Sequence, residues 1–442
     1  MAFIQPFRGL RYNPQKISDL ASVMSLPYDV LTEKDREELY QANPYNIVRL
    51  IWGKDLPGDG PPENKYLRAA RMLQEWEENH VLVREEGKAF YLYAQDFTLA
   101  GHGEKSRRGI VARVRLEDFD SHTILRHEAT FAGPKADRLN LIRATRANLD
   151  SIFTICDSRN SELGAILDER MSQSPLLDIR DRGGVRHRLW ALKEMADQEL
   201  IRKQVADRPL FIADGHHRYE AALLYRREMM SQEGEMEKED AGYHYAMMMV
   251  IDMEDPGLVI LPTHRLVGGI PEWDLSGFLT RANEYFSVEE IKLHSAERER
   301  QRIISERLEK KGGVAHSFAV YAGGDSVFFL GLKHDRIIDS LGKEGESEAL
   351  RKLDVTIMDR LILNRLLGYQ ESGRGGRIGY TPNMEEALRR VEDGIYDLAF
   401  LLMPTTLQEV KSISLAGEQM PQKSTYFYPK LLSGLVINPH DS

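Results

Sequence analysis

Apolar and polar positions follow two rhythms along this chain. Short apolar runs bounded by turn residues predict strands at residues 90–97, 110–116, 151–156, 210–213, 245–251 and 258–261, and again at 318–321, 327–332 and 398–402. Ala100-Gly101-His102-Gly103 reads as a hairpin turn between the first two. Helical spacing appears through Leu67, Met72, Leu73 and Trp76, and over residues 355–367 through Ile357, Leu361, Ile362 and Leu366. Residues 297–311 predict an exposed helix with Ile303, Ile304 and Leu308 inward, whereas the polar stretch 231–240 predicts a loop. Pro57, Gly58, Gly60, Pro61 and Pro62 make residues 54–64 a surface loop. Strands and helices in alternation predict an α/β, mixed α+β, protein. Gly268, Gly269 and Pro271 place a boundary near Val267, giving domains over residues 1–267 and 268–442.

With 442 residues the chain has room for two or three domains, at about 100–200 residues each. A 42% hydrophobic and 29% charged composition is that of a globular protein with a core large enough to need no staple. The formal charge of −10 disfavours a nonspecific nucleic-acid coat, leaving room only for a local basic pocket. The single cysteine, Cys156, excludes an internal disulfide and a cysteine-based zinc cage. The first residues lack the basic-then-apolar pattern of a secretion signal, and no apolar run approaches the ~18–20 residues that span a bilayer. These features predict a cytoplasmic protein with no membrane partner, and they leave a homo-oligomer open.

The chemistry concentrates where an apolar run meets a helix former. Arg208-Pro209-Leu210-Phe211-Ile212-Ala213 leads into Asp214-Gly215-His216-His217-Arg218-Tyr219-Glu220-Ala221-Ala222-Leu223. The second half is rich in Ala, Leu, Glu and Arg, good helix formers. Gly215 permits a tight turn and a close approach to the backbone. A helix starting there aims unpaired N–H groups and its positive dipole end outward, which suits an anion, phosphate above all. His216 and His217 add donors, and Arg218 can hold two phosphate oxygens at once. Asp214 has an alternative role as the N-cap, in which it competes with phosphate for the same amides. The histidines are also compatible with metal ligation, although adjacent helical residues point ~100° apart, or with no role at all.

Other polar groups cluster elsewhere. Asp29, before a helix entrance marked by Thr32 and Asp35, is a candidate carboxylate for a metal or a proton, or a turn aspartate bonding its own backbone. In Arg126-His127-Glu128, an extended chain puts Arg126 and Glu128 on one face and His127 on the other. Glu128 is then a candidate general base, or half of a surface ion pair with Arg126. Pro134 suits the first turn of a helix on which Lys135 and Arg138, three apart, share a face and can reach one anion. Thr263, His264 and Arg265 end an apolar strand, where clefts are often lined; His264 has the alternative of a satisfied structural histidine. Lys423, Ser424, Thr425 and Lys430 bring two lysines and two hydroxyls into an otherwise apolar C-terminal segment, Met420 to Lys430. Lys423 can reach a phosphate, and Ser424 lacks the glycines of a nucleophile elbow. Gly373-Arg374-Gly375-Gly376-Arg377-Ile378-Gly379-Tyr380 is basic and glycine-rich but lacks the order of a P-loop, and reads as a flexible loop, with a lid or a phosphate contact as the alternative.

The Asp214-Gly215-His216-His217-Arg218 box resembles the phosphate-binding turn of the ParB/sulfiredoxin superfamily and, within it, of the free-serine kinases. More broadly the chain resembles the domain-of-unknown-function family 1015. That likeness is carried by Leu26-Pro27-Tyr28-Asp29-Val30, Asn43-Pro44-Tyr45-Asn46-Ile47-Val48-Arg49-Leu50, Arg126-His127-Glu128, Lys135-Ala136-Asp137-Arg138-Leu139, Leu261-Pro262-Thr263-His264-Arg265 and Met420-Pro421-Gln422-Lys423-Ser424-Thr425. The resemblance implies a ParB/sulfiredoxin-like nucleotide-binding region followed by a second α/β domain. It also implies a phosphotransferase that uses ATP or ADP and a small hydroxyl substrate, with free serine suggested by the kinases alone. In that reading the turn binds phosphates and magnesium is held through Asp29 or Asp214. Glu128 or Asp29 accepts the proton, Asp214 joins them as a catalytic candidate, and Arg218 with Lys135 or Lys423 stabilises the moving phosphoryl group. Arg126, His127, Thr263, His264 and Arg265 line the substrate cleft. A nucleotide-binding regulator without turnover and a metal-dependent hydrolase using His216 or His217 are the competing readings.

Overall fold

The strands form where β-branched and aromatic residues bury on both sides of an extended chain. Tyr245–Asp252 is buried almost throughout and lies mid-sheet, parallel to Ile152–Cys156 and antiparallel to Gly103–Arg115. The computed structural model describes residues 2–99, 103–157, 163–206, 208–233, 240–293, 297–312, 316–369 and 377–441. It divides into two units: Met1–Arg126 with Thr130–Val259 and Pro429–Ser442, and His127–Ala129 with Ile260–Tyr428. The last stretch thus returns to the first unit, and the chain passes into the second between Val259 and Ile260, ahead of Val267.

In the first unit the described strands run in the order Ile124–Leu125, Leu210–Asp214, Ile152–Cys156, Tyr245–Asp252, Gly103–Arg115, Phe90–Leu99, Arg186–Leu192 and Leu177–Arg180, with Ile4–Gln5 also beside Gly103–Arg115. Side chains alternate across each strand. Phe90, Leu92 and Ala94 face one side with Ile110, Ala112 and Val114, and share a core with Tyr219, Ala222 and Leu223 of the long helix His216–Glu233. The opposite side carries Tyr93, Gln95 and Arg107, all buried. There Gln95 Nε2 donates to the Lys430 carbonyl at 2.9 Å and Arg107 donates to that of Pro429, so the returning segment covers polar groups that need partners. The helix Lys65–Glu78 starts where Asn64 accepts from the Tyr66 and Leu67 amides, and it buries Leu73 and Trp76 while Leu67 stays exposed.

The second unit is a six-stranded antiparallel sheet among the described residues. Its order is Phe286–Lys292, Ser326–Leu332, Ser317–Tyr321, Leu398–Leu401, His264–Gly268, Arg377–Thr381. Ile304 and Leu308 of helix Glu297–Gly312, with Ala387, Leu388 and Val391 of Met384–Glu392, fill one core against it. The helix expected over 355–367 begins as Asp354–Ile357 and continues as a π-helix, Met358–Leu366, burying Ile357, Leu361, Ile362 and Leu366. The fold is mixed α+β, as the alternation of runs predicts.

Two loops differ from expectation. The helix His216–Glu233 continues into the stretch expected to be a loop, because Met229 and Met230 still pack on the core; residues 234–239 lie outside the described residues. Residues 100–102 of the hairpin turn and 373–376 of the glycine-rich stretch also lie outside them; the rest of that expected loop, residues 377–380, is instead part of the edge strand Arg377–Thr381, which pairs with His264–Gly268. Among the described residues no helix is long and apolar enough to cross a membrane.

Candidate functional site

The strand Leu210–Asp214 ends in a bulge: Ile212 pairs with Thr154 but Asp214 pairs with Phe153, leaving Ala213 as the extra residue. A bulge bends a strand and re-aims the side chain after it. Gly215 follows at φ +95°, a conformation that suits glycine, and the helix begins at His216. Arg218 folds back over this turn, and a Cβ placed on Gly215 would lie 2.9 Å from Arg218 Nε. The guanidinium donates to the Ser151 carbonyl at 2.5 Å and to Asp214 Oδ2 at 3.3 Å, while Lys430 Nζ lies 3.4 Å from Asp214 Oδ1. Asp214 therefore sits between two cations. Burial alone would raise its pKa, but Lys430, Arg218 and His216 prevail and hold it at about 2. Burial works to lower the pKa of Arg218, yet Asp214, Asp150 and Asp29 keep it above the ordinary value. Asp29 thus acts on the turn through Arg218, and also on Tyr28, whose hydroxyl burial pushes up to about 12.

A second carboxylate, not singled out from the sequence, organises the next turn of the same helix. Glu220 accepts from Arg126 Nη1 at 2.7 Å, Thr130 Oγ1 at 2.7 Å and Lys135 Nζ at 3.1 Å. Burial would raise its pKa, and these three donors bring it below the ordinary value. Three residues earlier, on the same helix face, His217 Nε2 accepts from the Phe131 amide at 2.9 Å and its ring stacks on Phe131. These contacts set the start of helix Ala132–Thr145 beside the start of His216–Glu233. No side chain of its N-cap residue, Phe131, bonds the first turn; Ala132 and Gly133 are exposed, and Pro134 sits in that turn as expected. Two positive dipole ends thus share one place. Arg126 and Lys135, each with about a third of its side chain exposed (33% and 31%), place two cations against one carboxylate there. A signal for Glu220 existed, since it lies a helical turn after His216; Lys430, noted as a lysine in an apolar segment, reaches Asp214.

Arg138 is not beside Lys135 for a common anion. It lies on the buried face of its helix, donates to Asp137 and to the Ile51 carbonyl, and sits 3.8 Å over the Tyr28 ring. The chain leaves the sheet after Leu125, and Arg126 pairs with Glu220 at 2.7 Å.

The second unit gathers most of the remaining candidates. Glu128 Oε1 accepts from the Lys423 amide at 2.8 Å, and Lys423 holds a left-handed φ of +57° with its side chain exposed. The Lys423 carbonyl accepts from Arg265 Nη1 at 3.1 Å, which also donates to the Thr263 carbonyl at 2.5 Å. His127 Nε2 lies 3.0 Å from Thr425 Oγ1, and the buried Ser424 hydroxyl donates to the Pro421 carbonyl. Thr263, His264 and Arg265 are buried. Burial, helped by Arg265, brings the His264 pKa down to about 3, so its ring is neutral. Among the described residues no three His, Cys, Asp or Glu groups cluster in a way that holds a metal ion. Magnesium needs only one or two carboxylates beside substrate phosphates, and Asp29 and Asp214 fit that requirement by type.

The sequence pattern of the family described as "Protein of unknown function (DUF1015)" matches residues 4–356, and the chain belongs to that family. No curated protein matches it in sequence. Similar solved structures include a free serine kinase in complex with AMP, at 15% identity and TM-score 0.32, covering 71% of this chain and 86% of that one. A conserved hypothetical protein from Pyrococcus furiosus matches at 16% identity and TM-score 0.34, covering 74% and 95%. SbnI with a C-terminal truncation, from Staphylococcus aureus, matches at 11% identity and TM-score 0.32, covering 72% and 85%. With TM-scores this low the likenesses stand as similarities alone.

Proposed function

We propose that this member of the DUF1015 family binds the phosphates of ATP or ADP in its first unit and transfers a phosphoryl group to a small hydroxyl compound. The observation that carries the reading is the pairing of two helix starts, at His216 and Ala132, with Arg126 and Lys135 beside one carboxylate, Glu220. A phosphate there meets exposed backbone at Ala132 and Gly133, and cations that can leave Glu220 for a more highly charged partner. Arg218, locked between Ser151 and Asp214, shapes the turn and adds fixed positive charge. In the reaction the acceptor oxygen bonds to phosphorus, the bond from phosphorus to the nucleotide oxygen breaks, and the hydroxyl proton passes to a carboxylate. Asp214 is held at about 2 by its cations and is a poor proton acceptor, which leaves Asp29 for that role in this unit. Magnesium bound with the nucleotide would neutralise phosphate charge, with Asp214 left to hold it where Asp29 takes the proton. Free serine is the acceptor that the resemblance of the turn suggests.

Calorimetry with ATP, ADP and magnesium tests binding. Lys135→Gln is expected to weaken it about tenfold, the loss of one charged hydrogen bond. Unchanged affinity would remove the paired helix starts from the reading. Turnover is tested by phosphorylated product from a panel of small alcohols that includes serine, with Asp29→Asn and Glu128→Gln to find the proton acceptor. Binding without any product would leave a nucleotide-binding regulator.

A further inference from the structure

The first unit contains a cavity of about 610 Å³ that no residue of the 214–218 turn lines. That volume is in the range of small-ligand sites, about 300–1,000 Å³. Met24, Leu31, Leu39, Ile179 and Leu432 give it an apolar wall. Its charged residues are Asp19, Asp35 and Asp181 against Arg180 and Arg182. Arg182 is exposed and spoken for by Glu38 at 3.1 Å, and Arg180 Nη1 turns to the Gly184 carbonyl at 3.1 Å. The wall is therefore acidic in balance.

Asp181 is built into this wall. The Leu432 amide donates to the Tyr93 oxygen at 3.4 Å, the Tyr93 hydroxyl lies 2.6 Å from His187 Nδ1, and His187 Nε2 lies 3.1 Å from Asp181 Oδ2. A carboxylate only accepts, so Nε2 carries the proton and Nδ1 receives that of Tyr93. All donation then runs toward Asp181, whose Oδ1 accepts from the Val185 amide at 2.9 Å. Tyr93 and His187 are buried, and burial holds the His187 pKa below its ordinary value, so the relay delivers neutral donors to a charged carboxylate.

We propose that this cavity binds a small molecule with an apolar body and a protonated amine, the ammonium set against Asp181. An apolar floor beside a fixed, ionised carboxylate rewards such a molecule and opposes its carboxylate counterpart. The relay fixes the direction in which Asp181 points before a ligand arrives. The proposal is independent of nucleotide binding.

Calorimetry on the full chain with 2-phenylethylamine, 2-phenylethanol and 3-phenylpropanoate tests it. The amine is expected to bind about tenfold tighter than the alcohol, as a charge-assisted hydrogen bond would give, and the carboxylate most weakly. Asp181→Asn should remove the preference for amine over alcohol. Ala21→Trp, which fills the cavity from a lining position, should abolish binding of all three while far-UV circular dichroism and the urea midpoint stay native. The proposal is overturned if the amine does not bind, if the carboxylate binds as well, or if the amine preference survives in Asp181→Asn.

Discussion

Gly215 joins backbone geometry to charge at a single position. Its φ of +95° disfavours any side chain, and the space over its Cα is taken by the Arg218 guanidinium. Gly215→Ala is expected to lower stability by about 1–3 kcal/mol through backbone strain, read as a lower urea midpoint. It should also weaken ATP binding, because Arg218 must move off the turn to make room. An alanine that left both quantities unchanged would mean that the turn tolerates another shape. The acid–base roles of individual residues were only partly legible from their order. Asp214, Gly215 and Arg218 announce a turn because their effects on one another are local. Lys430 reaches Asp214 across 216 positions, and Glu220 collects Arg126 and Lys135 from 94 and 85 positions away. Nothing in local spacing carries such pairings.

Elements were read more successfully than residues, since apolar period and caps are local properties. Thr32 and Asp35 form the expected reciprocal cap: the Asp35 amide donates to Thr32 Oγ1 at 3.2 Å, and the Thr32 amide donates to Asp35 Oδ2 at 2.8 Å. The helix Glu33–Ala42 that follows supplies Leu39 to the cavity wall. Thr32→Ala should therefore cost about 1 kcal/mol in the urea midpoint and weaken 2-phenylethylamine binding by fraying that wall. A stability cost with intact amine binding would show that the helix start and the cavity are separate. The bulge at Ala213 was not legible, because it is a property of pairing with Ile152–Cys156 and not of the run itself. The return of Pro429–Ser442 to the first sheet was hidden for the same reason. Its anchors, Gln95 and Arg107, are polar residues inside an otherwise apolar sheet, and their order alone does not say what covers them.

At the scale of the whole chain, buried histidines make stability depend on acidity in both units. Burial brings His440, in the first unit, down to about 4, with Arg113 adding to the shift and Asp441 opposing it. In the second unit His264 falls to about 3. Both are neutral when folded and free to protonate near pH 6.5 when unfolded. The unfolded chain therefore binds more protons as pH falls below 6.5, and folding loses about 1.4 kcal/mol per pH unit for each histidine until its folded pKa is reached. Asp214 behaves oppositely in origin but alike in effect. Its folded pKa of about 2 lies below the unfolded value, so its contribution is full above pH 4 and is lost as pH falls through 2. The urea midpoint should fall between pH 6.5 and 4.5, while Asp214 stays ionised. His440→Phe keeps a ring beside Tyr225, whose centroid lies 5.6 Å from that of His440 at a tilt of 32°, and removes the proton. It should flatten the fall for the first unit and leave the slope of the second unchanged, read by hydrogen exchange of amides in Tyr245–Asp252 against those in Ser317–Tyr321. A midpoint constant over that range would mean that these histidines charge without unfolding, and that their burial is not what holds them neutral.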